Sequence, residues 1–169
     1  MKLSIGYGEG VQEFEAPDEN LLGVMQPNTV QIGLTGAEEI ARALNSPIAS
    51  PPLRHIVQPG EKAAIIISDN TRPMPSYQVL PGVLDELEKG GVLLRDITVV
   101  VALGIHRPQT ESEIRKLAGD EAFSRVRCVN STPGDCVRMG VTSSGTPVDV
   151  SRAVAEADRR IAIGNIEYQ

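Results

Sequence analysis

Two unbroken apolar runs punctuate the chain, Ala63-Ala64-Ile65-Ile66-Ile67 and Ile97-Thr98-Val99-Val100-Val101-Ala102. Both are of strand length and rich in β-branched residues, and neither alternates with polar positions, which is the pattern of strands buried on both faces. Between them Val79, Val83, Leu84 and Leu87 recur on one helical face over Ser76 to Glu88, and Lys89-Gly90-Gly91 closes that segment. Strand, helix, strand within about 40 residues is a βαβ unit, whose strands are parallel and whose crossover is right-handed. Both strands therefore end at the same edge of one sheet.

The flanking pattern adds shorter elements. Leu3 to Tyr7 and Val11 to Glu15 read as a hairpin turned at Gly8-Glu9-Gly10. The Gly6-x-Gly8-x-Gly10 cluster lacks the following helix, the Gly-x-x-Gly spacing and the Lys-Ser/Thr of a nucleotide loop, so it reads as a turn. Asp18 to Leu34 has no period. Thr35 is placed to cap a helix over Gly36 to Leu44, with Glu38 and Glu39 complementing its dipole, and a short turn follows at Leu53 to Val57. Thr110 with Glu113 forms a capping box for a helix to about Ala118. Val126 to Asn130 and Val137 to Val141 predict short strands, Ser143-Ser144-Gly145 a turn, Ser151 the cap of a helix through Ala157, and Arg160 to Ile163 a last strand. Together these predict one α/β domain over residues 1–169, a Rossmann-like three-layer arrangement with a mostly parallel sheet and an N-terminal β-hairpin. Strand order does not follow from the pattern.

Composition narrows the partners. A chain of 169 residues can bury about two-thirds of its unfolded surface without a staple or metal. With 22 acidic against 16 basic residues and a net charge of -6, a broad basic face for nucleic acid or a membrane surface is excluded, so any anion must be held locally. No leader pattern occurs and no apolar run approaches the ~20 residues a bilayer needs, which implies a cytoplasmic protein. Cys128 and Cys136, with seven residues between them and no His nearby, have neither zinc-site nor disulfide-scaffold spacing and read as reduced thiols.

The chemistry gathers where the two long strands stop. The first ends in Ser68-Asp69-Asn70-Thr71-Arg72-Pro73-Met74-Pro75, the second in Leu103-Gly104-Ile105-His106-Arg107-Pro108. Open α/β sheets bind ligands beyond the carboxyl ends of their strands. Arg72 offers a planar fork for a carboxylate or phosphate and Thr71 a hydroxyl and an N–H, with Arg107 the weaker second cation. Histidine is the side chain that takes and returns a proton near neutral pH, and His106 is the one at this edge. His55 lies in a connector without a carboxylate or second His and reads as a surface or packing residue. Read without function, Asp69 and Arg72 form a loop ion pair and His106 caps or packs.

Four segments resemble successive signatures of the nickel-dependent lactate racemase family: Ser68 to Ser76, Ala102 to Thr110, Ala153 to Asp158, and Gly164-Asn165-Ile166-Glu167. The resemblance runs from about Ser46 onward, in order and spacing, and its Ser-Asp-x-Thr-Arg-Pro and Gly-x-His-Arg-Pro motifs make it specific. Family members are longer, with two α/β domains and a nickel pincer nucleotide in the cleft. By resemblance Asp69, Thr71 and Arg72 hold the cofactor and the substrate carboxylate, and His106 is one of two acid/base histidines, with Arg72 also counted in the catalytic set. The implied reaction removes the hydroxyl proton of a small 2-hydroxy acid while its α-hydride moves to the cofactor and returns to the other face.

The family continues past the Gly-x-Ile-Glu signature with the second histidine, a lysine that attaches the cofactor and a histidine that ligates nickel. Here Gln169 stands where the second histidine is expected, and the family's cofactor-attaching lysine and nickel-ligating histidine have no counterpart in this chain. The expectation is an N-terminal domain whose partner is the C-terminal part of the same enzyme, inactive by itself. The rival expectation is a non-catalytic anion- or nucleotide-binding module; a domain serving contacts within an oligomer is a third.

Overall fold

The computed structural model describes residues 1–72 and 74–166. The expectations placed on Pro73, on Glu167 of the last signature and on Gln169 lie outside them. The chain divides into two compact units, Met1–Gly33 and Leu34–Gln169.

In the first unit β1 (Lys2–Tyr7) pairs antiparallel with β2 (Gly10–Glu15) in the register Lys2↔Glu15 to Tyr7↔Gly10. The two-residue turn starts at Gly8 with φ 59°, the left-handed conformation that tight hairpins require. Beyond it, one 3₁₀ turn at Asp18–Asn20 interrupts an otherwise irregular segment, as its missing period implies.

The second unit carries, in order, α1 (Gly36–Asn45), β3 (Ala63–Ser68), α2 (Ser76–Lys89), β4 (Ile97–Ala102), α3 (Glu111–Arg125), β5 (Arg127–Asn130), β6 (Cys136–Val141), β7 (Pro147–Ser151), α4 (Arg152–Ala155) and β8 (Arg159–Ala162). Four strands form one parallel sheet in the order β5-β4-β3-β8, while β6 and β7 make a separate antiparallel hairpin. The expected βαβ unit is thus present, with β3 and β4 paired from Ala63↔Ile97 to Ser68↔Ala102.

One face of this sheet is the core. Ile65, Ile67, Val99 and Val101 are buried there against Leu80, Val83, Leu84 and Leu87 of α2 and Ile114, Ala118 and Ala122 of α3. Side chains of the alternate parity, Ala64 and Val100, are equally buried on the other face, which α4 approaches. Towards the carboxyl ends that face opens, and Ala102 and Ala162 are exposed.

Helix α3 follows its capping box and then breaks where its pattern implies. Gly119 takes φ 80° and ψ 152°, outside helical space, before the chain resumes a helix to Arg125. A side chain is barred there as well, because a Cβ at Gly119 would stand 2.9 Å from the Tyr77 Cβ. Three smaller expectations differ. Thr35 and Ser151 precede helices without donating or accepting a side-chain capping bond, and α4 ends at Ala155 rather than Ala157. Strand β7 has no counterpart in the sequence reading, since Pro147 masks its start and its alternation is only five residues long. Both cysteines are free thiols, and no helix among the described residues is long and apolar enough to cross a membrane.

Candidate functional site

Because β3 and β4 run in register, the loops that leave Ser68 and Ala102 start side by side. Asp69, the first residue past β3, is 3% exposed, and its Oδ1 accepts the Thr71 backbone N–H at 3.1 Å and the Thr71 hydroxyl at 2.6 Å. The Arg72 N–H donates back to the Asp69 carbonyl at 3.3 Å, closing the turn. Past β4 the His106 N–H donates to the Leu103 carbonyl at 2.9 Å, in a turn whose second residue is Gly104 at φ 56°. That positive φ is the one a glycine supplies without strain. It swings His106 back toward β3, where Nδ1 lies 2.5 Å from Asp69 Oδ2. The histidine side chain stays 48% exposed.

Asp69, Thr71, Arg72 and His106 all line one open cavity of about 340 Å³, together with Gly104 and Gly164. Burial pushes the Asp69 carboxyl up, but the hydrogen bonds from Thr71 and His106 outweigh it and hold the group below its ordinary value of 3.8. Asp69 is therefore an ionised carboxylate at neutral pH, with both oxygens engaged. The expected concentration of these residues at one edge is observed. Asp69 faces Thr71 and His106, and His106 holds a carboxylate rather than a helix end.

A second set of residues fixes the loop after β4. The Leu103 N–H donates to Ser131 Oγ at 3.0 Å. Asn130 accepts the Gln109 N–H at 3.1 Å and donates to the Gln109 carbonyl at 2.9 Å. Arg107, weighed from the sequence as a second anion ligand, donates to both oxygens of Glu113, at 2.9 and 2.7 Å. Asn130 and Ser131 escaped the sequence reading. Their signal is positional: they sit at the carboxyl end of β5, the third strand end beside the site, which shows only once β5 is known to pair with β4. Among the described residues no group of three His, Cys, Asp or Glu is placed to hold a metal ion.

Residues 7–169 match the model of the lactate racemase N-terminal domain. The chain belongs to this family. It is 29% identical to the lactate racemase of Thermoanaerobacterium thermosaccharolyticum and 31% identical to that of Lactiplantibacillus plantarum, each over 98% of this chain and 40% of the relative. The solved lactate racemase apoprotein from Thermoanaerobacterium thermosaccharolyticum superposes with a TM-score of 0.79 at 28% identity, covering 96% of this chain and 38% of that one. The α/β fold expected for a lactate racemase N-terminal domain is thereby established, and the chain spans about two-fifths of the length of the relatives it matches.

Proposed function

We propose that this chain serves as the cofactor- and substrate-binding N-terminal domain, the first of two, in a racemase or epimerase of small 2-hydroxy acids such as lactate. The observation that carries the reading is the Asp69–His106 pair at 2.5 Å in the cavity that Thr71 and Arg72 also line. An acid/base group and an anion-gripping fork in one open recess are what inversion of a 2-hydroxy acid requires of its protein wall.

In this reading His106 takes the proton of the substrate hydroxyl at Nε2 and later returns it. The Arg72 guanidinium grips the substrate carboxylate and holds that end of the molecule in place. The recess suits the anionic part of a nickel pincer nucleotide: a guanidinium and exposed backbone are present, and at Gly104 and Gly164 a Cβ would meet nothing, so a ligand can approach the main chain closely. By the family resemblance Asp69, Thr71 and Arg72 face that group. When bound, the group supplies a reversible acceptor for the α-hydrogen. By the same resemblance the metal ligand and the anchoring lysine belong to the part of the relatives that this chain does not span. The same reading puts the enzyme in the cytoplasm, where both thiols stay reduced.

Replacing His106 by Ala in the full-length protein loaded with its cofactor tests the proposal. Lactate racemisation is expected to fall by at least about 10²-fold. Turnover at the parental rate would overturn it and leave a binding module.

A further inference from the structure

We propose that Asp69 is a positioning residue that locks the His106 imidazole with its proton on Nδ1 and its lone pair on Nε2, and that Thr71 is the clamp that makes the lock selective. The use of that lone pair rests on the racemase reading, whereas the lock itself rests on the hydrogen bonds. Resemblance assigns Asp69 and Thr71 to the cofactor. Their bonding gives them this additional task.

An ionised carboxylate only accepts hydrogen bonds. Asp69 Oδ2 faces His106 Nδ1 at 2.5 Å, so the hydrogen between them belongs to Nδ1. A neutral imidazole has one N–H, and Nε2 is then the basic nitrogen. The ring edge that carries it belongs to a half-exposed side chain lining the cavity, where a substrate hydroxyl can reach it. The carboxylate cannot exchange its two oxygens freely, because Oδ1 is claimed by two Thr71 donors at 3.1 and 2.6 Å.

That clamp dictates what an amide would do in place of the carboxylate. Asp69→Asn has one acceptor oxygen, and the Thr71 backbone N–H, which can only donate, demands it while the Thr71 hydroxyl adapts. The amide N–H₂ then falls opposite His106 Nδ1, which can only answer with a lone pair. The ring proton moves to Nε2, and the nitrogen facing the cavity becomes a donor. Side-chain size and burial hardly change, so the substitution separates tautomer from packing.

Nitrogen-15 spectra of the imidazoles read this directly, since the chain has only His55 and His106. At a pH where the rings are neutral, His106 is expected to show a protonated, pyrrole-type Nδ1 and a pyridine-type Nε2. In Asp69→Asn the two types exchange while His55 is unchanged, and in Asp69→Ala His106 shows a mixture. A parental His106 protonated on Nε2 overturns the lock, whether or not either variant folds. So does an unaltered tautomer in Asp69→Asn with a native amide spectrum. In the cofactor-loaded full-length enzyme the inverted tautomer is expected to lower kcat by about 10²-fold or more with little change in KM. Full turnover with an inverted tautomer would keep the lock and instead remove His106 from proton transfer.

Discussion

Glu113 receives two hydrogen bonds from the Arg107 guanidinium while the same carboxylate accepts the Thr110 N–H at 2.8 Å and so caps α3. Asn70, from the loop after β3, adds a longer contact to it at 3.4 Å. One carboxylate thereby ties both strand-end loops to the helix that follows.

This tie is expected to show in acid. The Arg107 bonds, with help from the Thr110 N–H, pull the Glu113 carboxyl from 4.5 down to about 2. A group whose folded value is depressed stabilises the fold fully above its unfolded value and loses that contribution as pH falls through the folded one. Melting temperatures of the parent and Glu113→Gln should differ most above pH 4.5 and converge toward pH 2. A gap that stays constant across that range would show that the charge contributes nothing.

Two glycines with positive φ should respond unequally to alanine. At Gly104 a Cβ meets no atom within 4 Å, so the cost is conformational alone, about 1–2 kcal/mol. At Gly119 the φ of 80° is joined by a 2.9 Å approach to Tyr77, so strain and overpacking add to about 2–4 kcal/mol. Urea titration of the two variants should rank Gly119→Ala below Gly104→Ala; the reverse order would refute the account.

Apolar residues divide by burial rather than by type. Leu84 is completely buried between α2 and the sheet, and Leu84→Ala is expected to cost about 2–5 kcal/mol. Ile105, beside His106, is fully exposed, and Ile105→Ala should stay within about 0.5 kcal/mol. Denaturant midpoints decide both.

The Cys128 thiol should be sluggish. Burial pushes its pKa up to about 11, and the thiolate is the reactive form. Alkylation of Cys128 at pH 8, followed by peptide mass mapping, is expected to be slow and to accelerate only as pH approaches 11.

What the sequence made legible is what local pattern controls. The two unbroken strands, the helix between them and the Thr110–Glu113 capping box each depend on residues close together in the chain, and each is found where its pattern puts it. Strand order depends on distant pairings. Lys62 meets Asp158 across 96 residues to begin the β3–β8 pair, and no spacing rule announces that. The site divides the same way. Asp69, Thr71, Arg72 and His106 could be named from residue type and strand ends, but the choice of partner could not. Asp69 was equally able to face Arg72 within its own loop, and it bonds a histidine 37 residues on, because β3 and β4 bring the two loop starts together.

The six-residue parallel pairing of β3 with β4 has a consequence for motion. Asp69 and His106 follow closely on strands whose residues are among the most deeply buried of those described, so these strand amides are expected to be the last to open in hydrogen exchange. Their separation can drift only as far as their short links to those strands allow. Such an edge behaves as a fixed anvil, the spacing of its acid–base pair set by the sheet rather than by the loops that carry it.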